Sequence, residues 1–269
     1  MARGLSRFWL WTAPLAIGIG AALVLAAGFV LALRGSLGEP LGETPPARQP
    51  ARPAAPHGGA YRILVLGDSL AKGTGDESGK GFAVDVLEAV EKRGPASITN
   101  LGINGMESPE VRALVETSNV RGLSAGSDLI LLSVGGNDLS HAVTRGSGSV
   151  ADVADAVAAA RGHYLENLRA ILGALREANP KAPIAVLGLY DPFGSAESGP
   201  GRLGGSVILQ WNTLIAETAL AFPGVFVVPI SDLFQGRPER LGADRYHPNR
   251  KGYEEIARRL LQVVPPGPP

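Results

Sequence analysis

Apolar positions fall into two regimes along the chain, one long unbroken run and then a series of short bursts. The run spans 8–33, 26 residues without a charge. As a helix it would be about 39 Å long, more than a hydrocarbon core of about 30 Å requires. Trp9 and Trp11 stand at its start, where amphipathic rings favour the headgroup region. Arg3 and Arg7 precede it and Arg34 alone directly follows, so the positive-inside rule puts 1–7 in the cytoplasm and the rest outside. The apolar run is longer than a cleaved leader needs and ends on Leu31-Ala32-Leu33, a poor cleavage site. An uncleaved transmembrane signal anchor is the expectation, with a cleaved leader and a secreted product as the alternative. Residues 34–60 hold six prolines and no periodicity, which predicts an extended linker.

From residue 61 the pattern changes. Short apolar runs at 62–66, 97–101, 129–134, 184–189 and 225–229 read as buried parallel strands. Between them lie helical spacings at 82–93, from Ser108 onward, at 150–178, near 206–221 and at 250–263. Ser108 is the expected N-cap of its helix, with Pro109 in the first turn. Five strands alternating with helices predict one α/β domain over 61–264, with a parallel sheet between helical layers. A Pro-rich tail, 265–269, follows it.

Charge sharpens this division. The chain has 269 residues with 25 basic and 25 acidic side chains, a balance that argues against a nucleic-acid binder. The zero sum hides segregation, because 1–60 carries five Arg and two Glu. With no cysteine, disulfides, thiolate metal sites, a cysteine nucleophile and a lipid-modified cysteine are all excluded. No His/Asp spacing makes a metal site, and no cofactor is expected.

Polar clusters follow the first three strands: Gly67-Asp68-Ser69-Leu70, Asn104-Gly105-Met106-Glu107-Ser108 and Gly135-Gly136-Asn137-Asp138. Adjacent parallel strands deliver their carboxyl ends to one rim, where ligands bind. A fourth cluster, Asp244-Arg245-Tyr246-His247-Pro248-Asn249, lies just before the last helix. Acyl transfer needs a hydroxyl nucleophile, a neutral base within reach and a carboxylate that fixes the base's tautomer. Ser69, His247 and Asp244 supply these types, and a single turn can join Asp244 to His247 Nδ1. The backbone N–H groups of Ser69 and Gly105 and the Asn137 amide are candidate oxyanion donors. A base must be neutral, so activity is expected to rise through about pH 6–7, where an ordinary imidazole loses its proton.

With GDSL at 67–70, NLGING at 100–105, GGND at 135–138 and DRYHP at 244–248, in that order, the chain resembles the SGNH (GDSL) hydrolase family. The opening GDSLAKGTGDESGKG is similar to its bacterial GDSL-like lipase/acylhydrolase subgroup. The resemblance covers about 61–264. It implies a flavodoxin-like three-layer α/β/α fold, with Ser69 as nucleophile, His247 as base and Asp244 as its orienter. Gly105 and Asn137 would complete the oxyanion hole. Ala71 and Met106 depart mildly from the family pattern, and Met106 is a candidate for shaping the acyl pocket.

Rival readings bear on several residues. GTGDESGKG fails as a phosphate loop, having Thr74 at its first glycine position and Gly81 at its Ser/Thr position. The absence of Gly-x-Ser-x-Gly around Ser69 argues against an α/β-hydrolase elbow. Asp68 is expected to hold its loop, and Asn137-Asp138 to sit in a turn that Asp138 holds by local hydrogen bonds. Asp76 and Glu77 read as a solvated loop, His57 as linker, His141 as surface or loop, and His163 as partly buried scaffold. Residues 191–206 read as a glycine-rich cleft wall. The expected protein is a membrane-anchored extracytoplasmic serine esterase or lipase acting on a small-molecule or lipid ester. Deacetylation of a cell-envelope polysaccharide, or a non-catalytic envelope-binding module, are the alternatives.

Overall fold

Alternate residues of the central strands bury toward opposite sides, which forces a helical layer onto each face. The structure, a computed structural model, describes residues 59–146, 149–193 and 200–264. Strands β1 (Tyr61–Gly67), β2 (Ala96–Gly102), β3 (Leu129–Ser133), β4 (Ile184–Leu187) and β5 (Val225–Val228) form one parallel sheet in the order β2-β1-β3-β4-β5. This is the flavodoxin-like order, in which the chain's direction of travel reverses between β1 and β3.

On one face Ile63, Val65, Leu129, Leu131 and Ala185 pack against α2 (Gly81–Glu91) and α9 (Arg250–Val263), through Phe82, Val86, Tyr253 and Ile256. On the other, Leu64, Leu66, Ile130, Leu132 and Val186 meet three helices. These are α3 (Ser108–Glu116), α6 (Val150–Ala178) and α7 (Pro200–Ala219), contributing Val111, Leu168, Ile171 and Trp211. Residues one apart on a strand therefore serve different cores.

The five predicted strands all form, although the fourth stops at Leu187 instead of continuing to residue 189. Three helices had no period long enough to read: α1 (Ser69–Lys72), α4 (Ser118–Ala125) and α8 (Ser231–Phe234). A fourth, α5 (Gly136–Arg145), occupies the sequence expected to be a turn, and Asn137 and Asp138 lie in its first turn. Ser108 is the first residue of α3, and its N-cap is Glu107. Helix α7 begins at Pro200, so the second half of the expected 191–206 cleft wall is helical. His163 is exposed, because the 3.6-residue turn that points Tyr164 and Leu168 into the core turns its neighbour outward.

Among the described residues no helix is long and apolar enough to cross a membrane. The expected span at 8–33, nearly all of the linker, including His57, and the 265–269 tail lie outside the described residues.

Candidate active site

The reversal point between β1 and β3 is where the fold opens a crevice, and the motif residues stand around it. Strand β1 ends at Gly67, whose φ of +128° is one that side chains rarely adopt. A Cβ there would lie 1.8 Å from the Ser133 carbonyl oxygen, so only glycine lets the chain leave β1 this close to β3. Asp68 follows as N-cap of α1, its Oδ1 accepting from Leu70 N at 3.0 Å and from Ser133 Oγ at 2.7 Å. Asp68 thus holds its loop as expected, and ties it to β3 as well. Its burial pushes its pKa up to about 6, with the Ser133 and backbone bonds offsetting part of the rise.

Ser69 is the first residue of α1, and its N–H has no acceptor within the helix. The Ser69 Oγ lies 2.8 Å from His247 Nε2, and His247 Nδ1 lies 2.6 Å from Asp244 Oδ2. Two backbone N–H groups, of Tyr246 and His247, donate to Asp244 Oδ1 at 3.0 Å each. Burial raises the Asp244 pKa, but the His247 ring and those backbone donors outweigh it and leave it below the ordinary carboxylate value. The carboxylate therefore stays charged where it faces the imidazole. The loop bearing both residues is closed by an antiparallel bridge between Leu241 and Pro248, and by Gly242 N donating to His247 O at 2.8 Å. Arg245, at φ +54°, takes the left-handed turn that brings Asp244 back under the ring.

Ser69, Asn137 and His247 line one cleft, together with Asp68 and Ser133. Asn137 Nδ2 donates to Met106 O at 2.8 Å, which fixes the amide plane and leaves its second N–H free to serve an oxyanion. Gly105 is not among the cleft-lining residues. It occupies an exposed turn beside Met106 with φ +79°, and a Cβ at this position would meet nothing within 4 Å. Met106 does not line the cleft either, and its side chain packs against the core cluster that includes Val111 and Leu168. Its part in the site is its carbonyl.

Long-range bonds hold these parts together where local ones were expected. Asp138 accepts from Ser108 N at 3.0 Å and from Ser108 Oγ at 2.5 Å, thirty residues away, and Asn167 Nδ2 donates to the same hydroxyl at 3.1 Å. This network pins the start of α5, with Asn137, to the start of α3. Asp76 is buried, not solvated: its Oδ2 accepts from Gly81 N at 2.8 Å and from Arg250 Nη1 at 3.0 Å. The loop that follows Ser69 is thereby strapped to the helix that follows His247. His141 is exposed on α5, its Nδ1 2.6 Å from Glu107 Oε1. Nothing in the spacing of Asp76 and Arg250, 174 positions apart, could have signalled their pairing.

A serine hydroxyl on an imidazole that is itself held by a charged carboxylate is arranged for acyl transfer. The model of the GDSL-like lipase/acylhydrolase family matches residues 65–255. The chain belongs to that family. Its relatives include the spore germination lipase LipC of Bacillus licheniformis, 27% identical over 208 residues that cover 74% of this chain and 94% of LipC. The protein YpmR of Bacillus subtilis is 26% identical over 208 residues, covering 75% of this chain and 80% of YpmR. Among solved structures, a lipase from a goat rumen metagenome superposes with a TM-score of 0.68 at 24% identity, covering 76% of this chain and 97% of that one. The acetylxylan esterase Axe2 of Geobacillus stearothermophilus gives 0.58 at 20% identity, covering 76% and 94%. These two likenesses are of fold. Family membership makes this GDSL protein a carboxylic ester hydrolase. Among the described residues no cluster of three or more His, Cys, Asp or Glu could hold a metal ion.

Proposed function

We propose that this GDSL hydrolase is a membrane-anchored, extracytoplasmic serine esterase in which Ser69, His247 and Asp244 carry the reaction. The observation that carries the reading is the unbroken hydrogen-bond chain from Ser69 Oγ through His247 to Asp244. His247 Nε2 takes the Ser69 proton as Oγ bonds to the ester carbonyl carbon. The oxyanion that forms would accept from the Ser69 N–H and the Asn137 amide, whose residues line the cleft, and from the Gly105 N–H. The acyl C–O bond then breaks, the alcohol leaves with the proton from His247, and water repeats the sequence to release the acid. The 26 uncharged residues at 8–33 and the arginines before them support the anchor and its orientation.

Ser69→Ala is the test. With p-nitrophenyl esters, full-length Ser69→Ala protein should lose at least about 1,000-fold in kcat, in line with nucleophile removal elsewhere. It should also lose labelling by a fluorophosphonate probe. Undiminished hydrolysis sinks the assignment. A folded wild-type protein that neither hydrolyses esters nor takes the label would be a binding module on this fold.

A further inference from the structure

The cleft does not end at Ser69. It continues toward the β4 side between Leu139 of α5, Leu189 and Pro192 after β4, and Ile208 of α7. Its volume is about 60 Å³. A cavity that takes benzene offers about 150 Å³, so the whole cleft, the space beside Ser69 and His247 included, has room for a short acyl group only. The polar groups at its inner end have partners already: Asp68 with Ser133, and Asn137 with Met106. Beyond these groups Leu139, Leu189, Pro192 and Ile208 give the recess apolar walls.

Tyr246 borders this recess and is held through both its ring and its backbone. Its ring stands edge-on to His247 with centroids 5.0 Å apart, and 6.2 Å from Phe193. Its carbonyl accepts from Tyr190 Oη at 2.6 Å. A side chain with both its ring and its backbone engaged acts as a fixed stop, not as a flap. The leaving alcohol must sit at His247 Nε2 to receive its proton and must then escape, which needs an open side. The acyl chain stays bound to Ser69 through both half-reactions and is the group that a narrow apolar recess suits.

We propose that this recess is the acyl site, that it accepts short acyl groups of about two to four carbons, and that Tyr246 and Ile208 set this limit. The proposal rests on Ser69 being the nucleophile, and names the substrate class of that same site: short-chain esters of an alcohol that extends into solvent.

The experiment is kcat/KM for p-nitrophenyl acetate, butyrate, octanoate and palmitate with the full-length protein and its Ser69→Ala, Ile208→Ala, Tyr246→Ala and Tyr246→Phe variants. A common leaving group makes the ratios report acyl length alone. Wild type should prefer acetate or butyrate over octanoate by at least 10-fold. Either Ile208→Ala or Tyr246→Ala, whichever melts as a folded protein, should narrow that ratio at least 10-fold. Tyr246→Phe, which keeps the ring, should leave it within about 2-fold. Ser69-dependent hydrolysis with octanoate or palmitate preferred by wild type would overturn the acyl-site proposal alone. So would a chain-length ratio unmoved in folded Ile208→Ala and Tyr246→Ala. Hydrolysis that persists in Ser69→Ala would instead overturn the nucleophile assignment beneath it.

Discussion

Two aspartates within one site are pushed in opposite directions. Asp244 stays charged because the imidazole and two backbone N–H groups donate to it, whereas Asp68 is driven to about 6 by burial. For Asp68 the folded state holds a proton that the unfolded chain gives up near pH 3.8. Between those values the native state binds more protons, so Asp68's contribution is fully present below about pH 4 and is lost as pH rises through 6. Two units correspond to about 3 kcal/mol. Asp68→Asn cannot titrate yet keeps an oxygen for Leu70 N and Ser133 Oγ. Urea denaturation at pH 4 and pH 7 should therefore show a fall in stability for wild type, relative to Asp68→Asn, of up to about 3 kcal/mol. Equal pH dependence in the two proteins would mean that Asp68 is ionised in the fold. Asn137 makes a separate prediction. One of its N–H groups is spent on Met106 O, so Asn137→Ala removes an oxyanion donor and a loop tie together. A loss of about 100- to 1,000-fold in kcat is expected from steady-state kinetics, with KM changed far less.

At the scale of elements, the site depends on where three helices begin. Helix α1 presents Ser69, α5 presents Asn137, and α9 begins three residues after His247. Asn249 caps α9, its Oδ1 accepting from Gly252 N at 3.1 Å while its Nδ2 donates to Glu239 O and Leu241 O. One side chain thus starts the helix and closes the loop that carries the base. Asn249→Ala should lower stability by about 2 kcal/mol, the upper end for a lost cap, as a measurable drop in melting temperature. Activity per folded molecule should fall with it, since the His247 loop loses two of its ties. The short helices were illegible in the sequence for a physical reason. Four residues of α1 or α8 complete barely one turn, too few for a period to show, and their ends are set by partners such as Ser133 and Arg240 rather than by their own spacing.

Across the whole molecule, a catalytic domain follows an apolar run that the sequence alone marks as an anchor. If 8–33 spans a bilayer, the full chain should pellet with membranes and resist carbonate extraction, and removal of 1–33 should release it as active soluble esterase. Recovery from the soluble fraction of a chain shortened at its N-terminus would point to the cleaved-leader alternative. The zero net charge is a sum of unlike parts, because the basic excess lies before residue 61 and the acidic excess after it.

Strand number, the parallel three-layer class and the order of the motif blocks were all determined by local pattern. A buried strand needs a run of apolar residues, and a turn beside another backbone needs glycine, whatever the rest of the chain does. Ser69 and Asn137 were candidates as polar residues after strands, and the Asp244–His247 pair as a carboxylate and an imidazole three positions apart. Only the tertiary structure decided what holds them. The bonds of Asp138 to Ser108, Asp76 to Arg250 and Tyr190 to Tyr246 join positions 30, 174 and 56 residues apart. Such pairs leave no periodic trace, because their spacing in sequence is set by the lengths of the elements between them. The same holds for the recess beside Ser69. Its size is a property of side chains from several separate segments, and no stretch of sequence contains it.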